Sequence, residues 1–315
     1  MANALITGGA GFIGSHLVER LIKEGWTVGV LDNLSTGSWD NLELAQGPSL
    51  IAKTWDVSVP WPTEKFDIKW DVVVHLASPA SPIHYQRLSL ETLRVNSRGT
   101  ENAIEAALRD GARFVYGSTS ETYGDPEVSP QPETYWGRVN PVGPRACYDE
   151  SKRYGEALTM EYWRRTAIDA RIIRFFNCYG PRMQLDDGRV VPNFIRQALL
   201  GEPLTVYGDG SQTRSFCYVS DTVEAIYRMM TGSKLAGHVI NIGNPWEMTI
   251  REFAKAVSAA IEVPLQIEYR PLPQDDPTQR RPDIQKAEQL LGWRPVVDLP
   301  EGLIKTIRYF RSRVR

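Results

Sequence analysis

Leu5-Ile-Thr-Gly8-Gly-Ala-Gly11-Phe-Ile-Gly14 joins an apolar run, Ala4 to Ile6, to an amphipathic stretch whose spacing predicts a helix from Phe12 to Glu24. Gly8 and Gly9 permit a tight turn out of a strand. Gly11 lets backbone N–H groups approach a pyrophosphate, and Gly14 lets the helix close on the strand. The start of the helix adds unpaired N–H donors and the positive end of its dipole. Glycine loops are common, so the pattern counts only in context. Here a second apolar strand, Thr27-Val-Gly-Val-Leu31, ends in Asp32, where a ribose-binding acid belongs. Strand, loop, helix, strand and acid in that order read as a dinucleotide-binding βαβ unit. A carboxylate at Asp32 accepts from a ribose 2′-hydroxyl and repels a 2′-phosphate, so the expected cofactor is NAD rather than NADP. Cofactor contacts are assigned to Gly8, Gly11, Phe12, Ile13, Gly14, Asp32 and Asn33, with Asp56, Leu76 and Ala77 further along the chain.

Strand-like and helix-like segments go on alternating. Asp71 to Leu76, Arg113 to Tyr116 and Ala170 to Phe175 read as strands, and Leu90 to Asp110 and Tyr148 to Thr166 as helices. Repeated βα units imply a parallel sheet covered by helices on both faces. The second half changes character: Pro271, Pro273, Pro277, Pro282, Pro295 and Pro300 crowd its end, and its strands stand apart. The fold class expected is therefore α/β, a Rossmann-type doubly wound parallel sheet with a smaller mixed α/β substrate-binding lobe. Residues 1–177 form the cofactor domain, 218–243 return to it, and 178–315 are mainly the lobe. Pro126 to Pro144 is a long polar loop, a kind of segment that usually serves function.

The 315 residues suffice for a sizeable core. A formal net charge of −2, with no basic run, gives no signal for nucleic acid or for a membrane surface. No apolar run approaches the ~20 residues that span a bilayer, and the chain runs straight from Met1 into the first strand, so no signal peptide is expected. The three cysteines, Cys147, Cys178 and Cys217, are scattered without metal spacing; a reduced, cytoplasmic protein without a metal site is expected.

Tyr148 and Lys152 stand four apart at the start of a helix, which puts both on one face. A nearby ammonium favours a phenolate, so Lys152 is expected to lower the Tyr148 pKa from its usual ~10. A tyrosine so tuned takes a proton from a hydroxyl while hydride leaves the same carbon. Such a pair alone means little. This one follows Ser118-Thr-Ser-Glu121 at the end of the strand from Arg113, and ligands of such sheets bind at the carboxyl ends of the strands. Thr119 is placed to hydrogen-bond the same hydroxyl.

With these features the chain resembles the extended short-chain dehydrogenase/reductases, over essentially its whole length. Finer motifs resemble one branch, the UDP-glucuronic acid decarboxylases. They are His75-Leu-Ala-Ser-Pro-Ala-Ser-Pro82 with Tyr85; Ser118-Thr-Ser-Glu-Thr-Tyr-Gly-Asp-Pro126; Pro130-Gln-Pro-Glu-Thr-Tyr-Trp-Gly-Arg-Val-Asn-Pro141; and Cys147-Tyr-Asp-Glu-Ser-Lys152. Downstream follow Phe176-Asn-Cys-Tyr-Gly-Pro-Arg-Met183, Asp187-Gly-Arg-Val-Val-Pro-Asn-Phe194, Leu204-Thr-Val-Tyr-Gly-Asp-Gly-Ser-Gln-Thr-Arg-Ser-Phe216 and Arg280-Arg-Pro-Asp-Ile284. Gly117, Thr122, Cys178 and Pro192 depart from the branch pattern, and none of them removes a proposed catalytic group.

The resemblance implies oxidation of UDP-glucuronate at C4, loss of CO₂ from the 4-keto acid, and re-reduction by the same NAD to UDP-xylose. It implies catalytic roles for Tyr148, Lys152, Thr119, Ser120, Glu121 and Arg280, and substrate contacts from Tyr85, Glu121, Asn177, Arg182, Val191, Tyr207, Arg214 and Arg280. Arginine's planar fork suits phosphate oxygens at Arg182 and Arg214. The alternative is an NAD-dependent 4-epimerase of a UDP-sugar, UDP-glucuronate included. The resemblance also implies a homodimer through the 90–110 and 148–166 helices, where Ala103, Ala106 and Ala107 either permit close helix contact or pack on the sheet.

Overall fold

The computed structural model describes residues 1–61 and 68–314; residues 62–67 and 315, which fall inside the ranges drawn above, lie outside it. Five strands and the first helices build the front half: β1 (Asn3–Thr7), α1 (Phe12–Lys23), β2 (Thr27–Asp32), β3 (Leu50–Thr54), β4 (Val72–His75), α2 (Pro82–Arg87), α3 (Ser89–Arg94), α4 (Thr100–Asp110) and β5 (Arg113–Thr119). Then come α5 (Ala146–Thr166), β6 (Ala170–Phe175), β7 (Cys178–Tyr179), α6 (Val190–Leu200), β8 (Leu204–Tyr207), β9 (Thr213–Ser215), β10 (Cys217–Tyr218) and α7 (Val219–Thr231). The chain closes with β11 (Val239–Ile242), β12 (Glu247–Thr249), α8 (Ile250–Ile261), β13 (Ile267–Arg270), α9 (Gln285–Leu291) and α10 (Leu299–Arg311).

Seven strands make one sheet in the order β11-β6-β5-β4-β1-β2-β3, and every pairing is parallel. The order reverses between β1 and β4, the point where a doubly wound sheet opens a crevice at its carboxyl ends. Alternation along each strand feeds two cores. Ile6, Val30 and Val74 pack with Leu17 and Leu21 of α1 and with Ile226 and Met229 of α7. Leu5, Leu31, Val73 and Phe114 pack with Ala103, Ile104 and Ala107 of α4. Burial on both faces is why these strands read as unbroken apolar runs. Outside the sheet, α6, α8 and α10 pack on one another, and β8 pairs with β13.

One expectation is corrected and one alternative is decided. The stretch 90–110 is not one helix: a π-helical turn, Val95–Gly99, separates α3 from α4. The reason is lateral anchoring, since Asn96 donates to Ser78 Oγ (3.1 Å) and Ser151 Oγ (3.0 Å) instead of following helical spacing. Ala103, Ala106 and Ala107 are buried, with Ala103 and Ala107 in the core beneath the sheet, so they offer no outward face for a second chain.

Candidate active site

The glycine loop works by close approach. Gly8 adopts φ +70°, and a Cβ there would lie 2.7 Å from the Ala77 backbone nitrogen. A Cβ on Gly14 would lie 2.1 Å from the Gly8 carbonyl oxygen. Gly11 caps α1 without a side chain, and no acid stands in its first turn, so the positive pole of the helix is left for an anion. One cavity runs from this loop across the sheet edge. Gly8, Gly11, Phe12, Ile13 and Gly14 border it, as do Asp32, Asn33 and Asp56, Leu76 and Ala77, and finally Tyr148 and Lys152. Asp32 is buried, accepting from the Ala10 (3.0 Å) and Leu34 (2.9 Å) backbone amides, and burial raises its pKa. The cradle that no Cβ can enter and the uncapped helix start fit a dinucleotide pyrophosphate.

At the far end lies a charged, buried cluster. Thr119 closes β5 and hydrogen-bonds Tyr148. The Tyr148 ring stacks on Tyr85, centroids 5.0 Å apart, and the Tyr85 hydroxyl is buried without a hydrogen-bond partner among the described residues. Glu121 accepts from Arg145 (2.5 Å) and Arg280 (3.1 Å), and Arg280 also donates to the Ser120 carbonyl (2.6 Å). Burial acts to raise the Glu121 pKa, but Arg280, Arg145 and Arg214 outweigh it and hold the carboxyl below the usual range. Arg280 is 1% exposed, so it is a buried member of the cluster and not a solvated surface arginine.

Lys152 does not act as the sequence led one to expect. Its ammonium donates to the Gly117 carbonyl (2.7 Å) and lies 6.0 Å from the Tyr148 ring centroid. Burial pulls the Lys152 pKa down to about 7. Tyr148 is raised, because burial exceeds the help from Thr119 and Arg189, with Glu121 and Asp149 opposing ionisation. The resting tyrosine is a phenol.

The expected substrate residues divide. Arg214 joins the cluster through Asp276 (3.0 Å), which also accepts from Arg145 (3.3 Å). Asn177 keeps a buried Nδ2 with no acceptor among the described residues. Val191 is buried in the first turn of α6. Arg182 goes elsewhere: it pairs with Glu19 of α1 (2.8 Å) and borders the cofactor cavity, because residues 181–184 cross over α1. Tyr207 ends β8 half-exposed and borders neither the cofactor cavity nor the charged cluster, since its strand is an outlying ribbon.

Sequence reasoning missed Arg145 and Asp149. Arg145 stands three residues before Tyr148 and four before Asp149, the spacings that make neighbours on one helix face, so the spacing that paired Tyr148 with Lys152 points to Arg145 and through it to Asp149. Asp149 is buried, its pKa pushed up to about 8 by burial and by Glu121, against Arg145 and Arg280.

A cradle for a dinucleotide leading to a tyrosine, threonine and lysine at the strand ends defines an enzyme that oxidises a carbinol with a nicotinamide. The model of the NAD dependent epimerase/dehydratase family matches residues 4–243, and the chain belongs to that family. It is 51% identical over 98% of its length to UDP-glucuronic acid decarboxylase 2 of Arabidopsis thaliana, spanning 68% of that protein. It is 50% identical over 97% of its length to UDP-glucuronic acid decarboxylase 1 of Danio rerio, spanning 72% of it. Among solved structures it is similar to the UDP-glucuronic acid 4-epimerase of Bacillus cereus in complex with UDP-glucuronic acid and NAD (TM-score 0.87, 28% identity, 99% of each chain). NAD is the cofactor. Among the described residues no helix is long and apolar enough to cross a membrane.

Proposed function

We propose that this chain decarboxylates UDP-glucuronate to UDP-xylose, leaving NAD unchanged overall. One arrangement carries the reading: Tyr148 and Thr119 meet at the end of the cofactor cavity, and the buried Glu121–Arg280 pair lies beside them. The kinship to decarboxylases from a plant and a fish supports it.

When bound, oxidised NAD supplies a reversible hydride acceptor for C4 and a positive charge that favours the phenolate. Tyr148 takes the C4 hydroxyl proton, with Thr119 orienting that oxygen. Loss of CO₂ from the resulting 4-keto acid leaves an enolate, and its oxygen needs donors, which Tyr148 (now protonated) and Thr119 provide. Glu121, held anionic by two arginines, orders the groups around C5 for reprotonation, and Arg280 fixes its direction. Asn177 and Arg214 receive the UDP moiety. The protein acts in the cytoplasm as a homodimer, its second copy covering the apolar outer face of α3 and α5.

Mass spectrometry of products from UDP-glucuronate, with CO₂ release followed in parallel, tests the reading. A pentose product and stoichiometric CO₂ are expected. An isomer that keeps all its carbons would make the chain a 4-epimerase.

A further inference from the structure

We propose that Asp149 holds the proton that C5 takes up after CO₂ leaves, and that it passes this proton on through the Tyr85 hydroxyl. The decarboxylation proposed above, on which this rests, consumes one proton per turnover: a carboxylate leaves as CO₂ and a C–H bond takes its place. Tyr148 is not the source, because the proton it takes from the C4 hydroxyl goes back to O4 on re-reduction. Glu121 is held anionic by Arg280 and Arg145. A guanidinium does not give up its proton at neutral pH. Lys152 spends its ammonium on the Gly117 carbonyl and borders the cofactor cavity. Asp149 is the acid left in the charged cluster.

Asp149 follows Tyr148 on α5 and is buried. Its Oδ2 lies 3.9 Å from Arg145 Nε, too far for a hydrogen bond, while the same guanidinium donates Nη2 to Glu121 (2.5 Å). Its Oδ1 is buried without a hydrogen-bond partner among the described residues, and so is the Tyr85 hydroxyl. A buried carboxyl so poorly paired keeps its proton. Glu121 after β5 and Glu150 on α5 act in the same sense, Arg145 and Arg280 oppose them, and the balance sets Asp149 at about 8. Tyr85, on α2, stands in the field of Arg145, Glu121, Asp149 and Tyr148, and its ring covers that of Tyr148. A phenol hydroxyl both donates and accepts, so it relays a proton without ionising. As CO₂ leaves, its bonding electrons enter the enolate. C5 then takes the Tyr85 proton while Tyr85 takes that of Asp149, which gives the 4-keto pentose and an Asp149 carboxylate. Hydride returns to C4, and water reprotonates Asp149 once the product has left.

The test is a single turnover of UDP-glucuronate followed in the NADH band, with the products identified by mass spectrometry. The absorbance falls when the keto pentose is re-reduced, so the fall waits on C5. In the native chain it should slow as pH rises through about 8, where the acid form is lost. Asp149→Asn should still oxidise C4, and its fall should be at least about tenfold slower and flat between about pH 6.5 and 9.5. Asp149→Glu should restore the pH break and part of the rate, which a merely structural role would not give. Glu121→Gln removes a like charge and should move the break to lower pH. Tyr85→Phe should slow the same phase. An infrared difference spectrum across the same pH range, taken without sugar, should show the loss of a protonated carboxyl that Asp149→Asn lacks. A fall that is flat with pH in the native chain, a native-like fall in Asp149→Asn, or the absence of that infrared band would overturn the proposal. The first and last still decide it if Asp149→Asn fails to fold, since a native chain with a flat fall or no titrating carboxyl suffices. A six-carbon product would overturn the decarboxylase reading and the proposal with it, whereas a pentose with any of these three results overturns the proposal alone.

Discussion

Tyr148 is a buried phenol flanked by carboxylates, so its value to the chain is as a proton carrier matched to one oxygen. Tyr148→Phe keeps the ring stacked on Tyr85 and removes only that function. Turnover of UDP-glucuronate should fall at least about a hundredfold, ~2.7 kcal/mol of barrier, and product chromatography under excess substrate checks it. Glu121→Gln leaves Tyr148 and Thr119 in place. It should still pass hydride to NAD but work through the keto acid slowly, so absorbance in the NADH band should build up in a single turnover. Full activity without build-up would remove Glu121 from the chemistry. His75 bears on stability instead. Fully buried and hydrogen-bonded to Thr7 Oγ1 through Nδ1 (2.7 Å), it has its pKa lowered from 6.5 to about 3, by burial first and Lys152 second. Below pH 6.5 the unfolded chain binds a proton that the folded chain refuses. Stability is therefore lost as pH falls from 6.5 toward 3, by about 1.4 kcal/mol at pH 5.5 from this group. His75→Gln should flatten the urea midpoint between pH 7.5 and 5.5 relative to the native chain by that amount. Individual residues were legible where one residue type has one job, as at Gly14 or Tyr148. Charge balance was not: whether Lys152 or burial sets Tyr148 depends on a 6.0 Å separation and on surroundings contributed by distant segments.

At the scale of elements, the first βαβ unit could be read directly because local sterics dictate it. Gly14 is its tightest point. In Gly14→Ala the new methyl meets the Gly8 carbonyl, so α1 must shift away from β1. We expect a loss of about 1–3 kcal/mol, read as a lower urea midpoint, together with weaker NADH binding by fluorescence titration; a variant equal to the native chain in both would show that the loop does not need this contact. The parallel strands were equally plain, since burial on both faces leaves apolar runs. The π-helical turn at Val95–Gly99 was hidden. Its cause is a hydrogen bond from Asn96 to Ser151, 55 residues away, and no periodicity within 90–110 records a partner at that distance. The arginine cluster was hidden for the same reason: Glu121, Arg145, Arg214, Asp276 and Arg280 come from four separate stretches that only the folded chain brings to one point.

For the whole molecule, the question is what covers the outer face opposite the sheet. The alanines of α4 are spent on the inner core, so they say nothing about a second chain. Leu90 and Leu93 on α3 and Tyr154 on α5, two helices packed side by side, point outward, with Leu90 59% and Tyr154 50% exposed. Single exposed apolar residues are ordinary, and these three are the apolar groups that the proposed second copy would cover. A two-fold axis through this face would set each copy's α3 and α5 against the other's, an arrangement that closes on itself and stops at two. Burying an outward leucine and tyrosine on each chain is worth on the order of several kcal/mol before the cost of association. A charge on each should therefore be decisive. The double variant Leu90→Asp, Tyr154→Asp should sediment at the mass of one chain, where the native protein should sediment at the mass of two at micromolar concentration. Its NADH affinity should change little, because neither side chain borders the cofactor cavity. A native chain that sediments singly at that concentration, or a double variant that remains paired, would move the interface elsewhere.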